Sequence, residues 1–174
     1  MSIEFHILKK SEVRNAETFS EVSALADRFL AFLSDPRIEN EIGNAHQLGG
    51  FSTQIQAAIL PGVKALGFTS ERTGLFQNYD VTALRPDYYA KIGDSGVLLE
   101  VERGKTITNN MDILDFWKCH ICDHADYLFL LVPKMRHVKK GRPTHPYKHV
   151  KKRLGTFFVQ RNCVNVDAVF LFGY

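Results

Sequence analysis

Three carboxylates occur in this chain at a spacing that two adjacent strands would bring together. Asp87 precedes one run of strand-forming residues, and Glu100 and Glu102 lie at the end of a second, apolar run. The segment Gly93–Gly96 between the two runs, with the sequence Gly-Asp-Ser-Gly, is a turn signal. The stretch from Pro86 to Lys105 is therefore predicted to form a β-hairpin that carries acidic side chains.

The register of this hairpin follows from the turn if the turn is symmetric. Side chains alternate between the two faces of a strand, so Glu100 and Glu102 are predicted to share one face. The opposite face of the same strand is predicted to enter the core. The residues expected in the core are Val97, Leu99 and Val101, and the expected pairs across the hairpin are Ile92 with Val97, Tyr89 with Glu100, and Asp87 with Glu102.

Acidic side chains on neighbouring strands repel one another. Such a cluster must be protonated, have raised pKa values or bind a cation. Ligand oxygens without Cys or His suit a hard ion such as Mg²⁺. Two interpretations remain open at this point: a metal site, or a solvated hairpin face whose acids point into water.

The pattern Pro86-Asp87, then twelve residues, then Glu100-Val101-Glu102 resembles the motif of the PD-(D/E)xK nuclease superfamily. The last motif position is usually lysine, and glutamate in its place is similar to the BamHI-type branch of the type II restriction endonucleases. An amphipathic helix precedes the hairpin, and a helix and an apolar strand follow it. This order resembles the αβββαβ core of the superfamily, over about residues 50–135.

The resemblance implies Mg²⁺-dependent hydrolysis of phosphodiester bonds to 5′-phosphate and 3′-hydroxyl ends, with Mn²⁺ as a substitute ion and no organic cofactor. It implies that Asp87 and Glu100 bind the metal, together with the main-chain carbonyl of Val101. Glu102 would then be a second metal ligand, the general base for the attacking water, or both.

The absent motif lysine leaves open what stabilises the developing negative charge. Lys105, three residues after Glu102, is the first candidate for this catalytic role. Lys118 on the following helix and a second metal ion are the alternatives. Gln54 and Gln56 on the preceding helix could contact the metal's water shell, although solvent-facing amides are the simpler interpretation.

One segment carries most of the positive charge. Residues 134–153 contain nine of the 22 Lys and Arg residues and none of the 19 Asp and Glu residues. Binding to DNA phosphates releases counterions, and arginine can also read guanine in the major groove. A solvated basic loop without a partner is the alternative. The residues predicted to contact DNA are Arg136, Lys139, Lys140, Arg142, Lys148, Lys151 and Lys152.

The remaining patterns predict a single α/β domain with a mixed central β-sheet flanked by helices and a restriction-endonuclease-like core. We expect three parts: a helical N-terminal extension (1–50), a catalytic core (50–135) and the basic DNA-contact segment (134–153). The sequence predicts helices over 11–33, 52–66, 110–122 and 146–154, strands over 67–79, 127–132 and 166–172, and a loop over 34–50.

Composition limits the classes of protein to which this chain can belong. The chain has 174 residues, of which 45% are apolar, enough for the core of one domain. It has no apolar run long enough to span a membrane and no secretion-signal pattern at its N-terminus. Three cysteines do not form a disulfide framework, so we expect a reducing, cytoplasmic setting. Cys119 and Cys122 have zinc-like spacing but lack a second pair of ligands.

These observations together predict a site-specific double-stranded DNA endonuclease similar to type II restriction enzymes. Such an enzyme would cut palindromic sites as a homodimer, because protein symmetry matches site symmetry. The predicted N-terminal helix would supply part of the dimer interface or pack on its own core. Two alternatives remain: a structure-specific or phage-type nuclease of the same superfamily, and a DNA-binding protein on that fold that does not cut.

Overall fold

The computed structural model describes residues 2–47, 50–70, 74–80, 84–104, 106–137, 142–160 and 162–174. Within these ranges the chain forms six strands, five α-helices and a single 3-10 turn at Thr156–Phe158. The strands are β1 (Glu4–Lys9), β2 (Thr69–Ser70), β3 (Tyr88–Ile92), β4 (Ser95–Val101), β5 (Tyr127–Val132) and β6 (Ala168–Gly173). The helices are α1 (Ala16–Leu33), α2 (Pro36–Ala45), α3 (Ser52–Ala65), α4 (Met111–Ile121) and α5 (Pro146–Gly155).

All six strands belong to one mixed sheet with the order β1-β6-β5-β4-β3-β2. The three central strands β4, β5 and β6 are parallel to one another. The outer strands pair antiparallel. The prediction of an α/β fold with a mixed central sheet flanked by helices is confirmed.

Two hydrophobic cores lie on opposite faces of this sheet. Helices α1, α2 and α3 cover one face, where the Phe29 ring packs edge-on against Phe172 with 5.0 Å between ring centroids. Helices α4 and α5 cover the other face, where Phe116 and Val150 pack with Leu128. Every residue of β5 is buried, as expected for a parallel strand covered on both faces.

The first fifty residues differ from the purely helical extension that the sequence predicts. Strand β1 pairs antiparallel with β6 at the edge of the sheet. Helix α1 starts only at Ala16, because the Asn15 side chain accepts hydrogen bonds from the main-chain N–H groups of Glu17 and Thr18. The face of α1 that contains Val22 and Phe29 is buried in the protein's own core.

The predicted loop over 34–50 is wrong for most of its length, because α2 occupies residues 36–45. Helix α1 ends at Leu33, and the Asp35-Pro36 pair that follows starts a new helix. The Asp35 carboxylate accepts a hydrogen bond from the Arg37 N–H at 2.8 Å. Proline is well tolerated in the first helical turn, where its missing N–H has no intrahelical partner.

The hairpin β3–β4 forms as predicted, but its register is shifted by two residues. Ile92 pairs with Ser95 rather than with Val97, and Tyr89 pairs with Leu98 rather than with Glu100. The turn is therefore the two residues Gly93 and Asp94, and Gly93 has φ of 56°, as the first position of a type II′ turn requires.

A shift of two residues leaves each side chain on its predicted face, because the side-chain period of a strand is two. Val97, Leu99 and Val101 enter the first core as expected. Asp87 lies opposite Glu100 and not opposite Glu102, as the hydrogen bonds of Asp87 with Glu100 and with the Val101 N–H show.

From α3 onward the order of elements is α3, β2, β3, β4, α4 and β5. This is the αβββαβ order that the resemblance implies. Helix α3 ends at Ala65, and Gly67 follows with φ of 88°, a conformation that favours glycine. The strand predicted over 67–79 is only Thr69–Ser70 within the described residues.

Candidate active site

Asp87 and Glu100 face each other at the start of β3 and the end of β4. The Asp87 N–H donates a hydrogen bond to Glu100 Oε2 at 3.2 Å. Asp87 Oδ2 in turn accepts a hydrogen bond from the Val101 N–H at 2.8 Å. The Gln56 side chain on α3 also hydrogen-bonds to Asp87. The two carboxylates predicted as metal ligands are therefore held side by side by the hairpin backbone.

Glu102 follows directly after β4, where the strand leaves the sheet. Its main-chain N–H donates to the Leu131 carbonyl at 2.8 Å, and its carbonyl accepts a hydrogen bond from the Tyr174 hydroxyl at 2.9 Å. The buried Thr106 hydroxyl donates to the Glu102 carboxylate at 3.0 Å. Both the backbone and the side chain of Glu102 are thus fixed next to the Asp87–Glu100 pair.

Helix α4 brings two further charged residues to this cluster. The ammonium group of Lys118 contacts Glu100 Oε1 and lies 2.8 Å from Asp115 Oδ1. Both side chains are buried, with 9% exposure for Lys118 and 1% for Asp115. Lys118 was an alternative to Lys105 in the sequence, whereas Asp115 was not predicted at all.

The position of α4 explains this omission. On α4 the large apolar side chain of Trp117 is 52% exposed, whereas the buried face includes Asp112, Asp115 and Lys118. The three-residue spacing of Asp115 and Lys118 was the signal available, because it places both on one side of a helix. Nothing in the sequence shows that this side covers Glu100.

Burial sets the acid–base properties of the four carboxyl groups. It raises the pKa of Glu102 to about 8 and that of Asp115 to about 6. It also raises the pKa of Asp87 and, more strongly, that of Glu100. The charge of Asp115 is the next cause of the raised pKa of Glu100 and of Glu102.

For the pKa of Lys118, neighbouring charges outweigh the effect of burial. Burial lowers the pKa of its ammonium group, but the negative charges of Glu100 and Asp115 outweigh burial and raise the pKa above its ordinary value. Lys118 is therefore protonated at neutral pH. Four carboxyl groups thus share one ammonium group, and the cluster still has an excess of acid that a further cation would stabilise.

The chemistry of this cluster fits a hard cation. All of its donor atoms are oxygens, and Asp115 Oδ2 is buried without a hydrogen-bond partner among the described residues. Within the same residues, no group of three or more Asp, Glu, His or Cys side chains is already arranged to hold a metal ion. Glu100 Oε1 is in contact with Lys118, so an ion bound between Asp87 and Glu100 would require Lys118 to move away from that oxygen.

Lys105 and Gln54 are the other candidates that the sequence places near the metal. Lys105 lies outside the described residues. Gln54 does not point toward the cluster, because its side-chain oxygen accepts a hydrogen bond from the Phe51 N–H at 2.9 Å at the start of α3. Phe51 is the N-cap residue of that helix, and Ser52 is its first residue, as expected from the helix predicted over 52–66.

A cleft of about 890 Å³ opens at the carboxyl ends of β4 and β5, beside Glu102. We call it the Phe51 cleft, after the aromatic side chain at its rim, which is 70% exposed. In sheets with parallel strands, ligands commonly bind at this end. The residues that line the cleft include Phe51, Glu102, Arg103, Met111, Arg136 and His137.

The described residues among those predicted to contact DNA lie after β5 and on α5. Arg136 lines the Phe51 cleft, and its backbone forms a bridge with Thr144. Arg142, Lys148 and Lys152 are exposed, the last two on α5. Lys151 on α5 lies near His6 on the edge strand β1, where, after burial, its charge lowers the pKa of that histidine. Lys139 and Lys140 lie outside the described residues.

Two more cations of the basic segment have partners within the domain. The Arg153 guanidinium contacts both oxygens of the buried Asp112 carboxylate. It also donates to Asn110 Oδ1 at 2.9 Å. Lys134 donates to the main-chain carbonyl of Ser2. These contacts fix α5 against α4, and the loop after β5 against the N-terminus.

Comparison with known proteins gives a distant structural similarity. No family model matches the sequence, and no curated protein matches it. One similar solved structure is the restriction endonuclease BglII in complex with a DNA 16-mer. The TM-score is 0.47 at 13% sequence identity, over 99% of this chain and 78% of that chain. None of the described helices is long and apolar enough to cross a membrane. Activity, metal use and assembly must therefore be proposed from the residues of this chain.

Proposed function

We propose that this chain is a Mg²⁺-dependent, site-specific endonuclease that hydrolyses double-stranded DNA in the manner of type II restriction enzymes. The observation that carries the proposal is the buried cluster of Asp87, Glu100, Glu102 and Asp115 around Lys118. A cluster of raised carboxyl pKa values beside an open cleft is typical of catalytic sites.

In this proposal, Asp87 and Glu100 hold the metal ion, together with the Val101 carbonyl. A bound Mg²⁺ would polarise a phosphodiester oxygen and provide an activated water. Glu102 has a pKa of about 8 in the protein alone, so at neutral pH it is mostly protonated and must lose its proton to act as ligand or base. The positive field of a neighbouring divalent ion favours this loss.

Lys118 takes the place of the motif lysine. Its ammonium is the cationic group of the described cluster, and it is already in contact with Glu100. With an ion bound to the Glu100 carboxylate, the Lys118 ammonium would be released from Glu100 and would turn toward a phosphate oxygen, while Asp115 would still hold it. Lys118 would then stabilise the negative charge that develops on the phosphate in the transition state. Lys105 remains the alternative for this role.

Arg136 at the cleft and the exposed Arg142, Lys148 and Lys152 would contact the DNA backbone, with Lys139, Lys140 and Lys151 as further predicted contacts. Cutting both strands of a palindromic site requires two active sites related by two-fold symmetry. We therefore propose a homodimer on DNA. Analytical ultracentrifugation with and without a duplex tests this assembly, and a monomer in both conditions would contradict it.

The first experiment incubates the protein with plasmid and phage DNA in Mg²⁺, beside Glu100→Gln and beside Ca²⁺ in place of Mg²⁺. Asp94→Asn is a matched control, because it removes an exposed carboxylate from the far end of the same hairpin. Discrete bands that persist in Asp94→Asn and vanish in Glu100→Gln and in Ca²⁺ would support a site-specific nuclease.

The other outcomes separate the alternatives. Cleavage of flaps or junctions without cleavage of intact plasmid would favour a structure-specific or phage-type nuclease of the same superfamily. Salt-sensitive DNA binding without any product, in Mg²⁺ and in Mn²⁺, would favour a DNA-binding protein that does not cut. A protein that neither binds nor cuts DNA would overturn the proposal.

A further inference from the structure

The Phe51 cleft combines an apolar surface with positive charge next to the acidic cluster. Phe51 is the most exposed of the large hydrophobic side chains in the described part of the chain, at 70%. Glu102 lines the same cleft, so any molecule bound against Phe51 lies beside the carboxylates of the candidate active site. An aromatic ring at the rim of a charged cleft is the kind of surface on which nucleic acid bases stack.

The backbone holds Phe51 in a defined position. The Arg103 guanidinium, one residue after Glu102, donates hydrogen bonds to the main-chain carbonyls of Gln47 and Gly50. These bonds attach the segment before α3 to the end of β4. A Cβ atom at Gly50 would lie only 2.6 Å from the Ala45 carbonyl oxygen, so this close approach requires glycine. The Phe51 side chain is therefore exposed, but the segment that carries it is fixed to the end of the strand that carries the acids.

Positive charge lies across the same cleft. Arg136 is held by two hydrogen bonds of its backbone with Thr144, at 2.9 and 3.0 Å. His137 beside it is exposed and also lines the cleft. His46 lies near both and hydrogen-bonds through Nε2 to the Met135 carbonyl at 2.8 Å. Burial lowers the pKa of His46. The charges of Arg103, His137 and Arg136 lower it further.

We propose that the Phe51 cleft binds one unpaired nucleotide next to the phosphodiester bond to be cut. Its base stacks on the Phe51 ring, and its phosphate is bound by Arg136 and His137. The volume of about 890 Å³ is large enough for a nucleotide. Bases inside a duplex present only their edges, so a ring can stack on a base only if it is at a strand end, in a flap or turned out of the helix.

This inference rests on the proposed nuclease function, and it restricts the substrate to DNA that presents one unpaired nucleotide next to the bond to be cut. Alanine substitution of an aromatic residue that stacks on a base costs a factor of roughly 5 to 150 in affinity. A duplex with one unpaired nucleotide is therefore expected to bind this protein tighter than a blunt duplex by a factor in this range. The excess affinity should depend on the base and on the ring of Phe51.

Fluorescence anisotropy of labelled hairpin duplexes tests the inference, with the 174-residue chain in Ca²⁺ so that no DNA is cut. The duplexes carry a blunt end, one unpaired 3′ nucleotide, one unpaired 5′ nucleotide, or the same overhangs with an abasic residue. We expect one overhang to bind 5- to 150-fold tighter than the blunt and abasic forms. Phe51→Ala and Phe51→Leu should bring this ratio close to one, and Phe51→Tyr should keep it.

Val159→Ala is the matched control, because Val159 is also an exposed hydrophobic residue and does not line the cleft. Equal binding of all duplexes by the unmodified protein, or a preference that survives in Phe51→Ala, would overturn the inference. Thermal unfolding of each variant checks that the fold is retained.

The cleavage assay with Glu100→Gln separates this inference from the nuclease proposal. A protein that cuts DNA but shows no overhang preference keeps the proposed function and refutes the stacking site. A protein that prefers the overhang but cuts nothing keeps the stacking site and refutes the nuclease.

Discussion

The Lys118 ammonium contacts the Glu100 carboxylate across the interface between helix α4 and strand β4. Their side chains are 9% and 5% exposed. The same ammonium lies 2.8 Å from Asp115, so one buried cation compensates two buried carboxylates. When one partner of a buried ion pair is removed, the remaining charge is left without compensation in a medium of low dielectric constant.

Lys118→Met is therefore expected to destabilise the protein by about 3–5 kcal/mol at pH 8. The loss should be much smaller at pH 5, because Glu100 and Asp115 have raised pKa values and can take up protons there. Urea unfolding at both pH values measures this difference. Lys64→Met, at an exposed position of α3, is the control and should change little. Equal destabilisation by Lys118→Met at both pH values would contradict the ion-pair explanation.

The sequence predicts those parts of the fold that depend on local patterns. Strand β5 follows from its continuous apolar run, and α4 and α5 follow from helical periodicity with clear termini. The face of each acid on the hairpin was predicted correctly although its register was wrong, because a shift by two residues preserves the face. Helix α2 was missed because the Asp-Pro pair that follows the end of α1 also starts a new helix.

Two features of the fold depend on distant contacts and have no local signal. Strand β1 is half-buried along most of its length and lacks the alternation of a typical edge strand. Its strand conformation follows from pairing with β6, more than 150 residues later. Asp115 similarly joins the candidate active site only because α4 packs across the end of β4.

The raised pKa of Glu102 predicts that binding of the proposed cation depends on pH. A group with a pKa of about 8 holds its proton at pH 7, and a cation that binds the carboxylate must displace that proton. We therefore expect Ca²⁺ affinity to rise as the pH increases from 6 to 8 and then to level off. Titration calorimetry in buffers of different ionisation enthalpy measures both the affinity and the protons released. Glu102→Gln should release up to one proton fewer per ion.

The same group affects the stability of the protein without a cation. The carboxyl pKa of Glu102 is higher in the folded protein than its ordinary value of 4.5, so the folded state binds more protons between pH 4.5 and 8. Its contribution to stability is complete below that window and is lost as the pH rises through it. We expect Tm to fall less in this range for Glu102→Gln than for the unmodified protein. A variant whose Tm follows that of the unmodified protein would contradict the assigned pKa.

Asp115→Asn tests whether Asp115 tunes the site electrostatically. After burial, the charge of Asp115 is the largest cause of the raised pKa of Glu102. Its removal should lower that pKa, so the rise of Ca²⁺ affinity with pH should occur at lower pH than in the unmodified protein. Asp94→Asn, in the exposed turn of the hairpin, should leave the midpoint unchanged. A loss of Ca²⁺ binding at every pH would instead make Asp115 a direct ligand.

Lys148 and Arg153 lie on the same helix, yet they are expected to have different roles. Lys148 is exposed, and Lys148→Ala should weaken DNA binding and lower the salt-dependence slope by about one, with no change in Tm. Arg153 contacts Asp112, whose side chain is fully buried. Arg153→Ala would leave that carboxylate unpaired and should cost about 3–5 kcal/mol of stability. Anisotropy in Ca²⁺ across a salt series and thermal unfolding measure the two effects. If Lys148→Ala lowered Tm, or Arg153→Ala changed only DNA affinity, this division of the basic segment would be wrong.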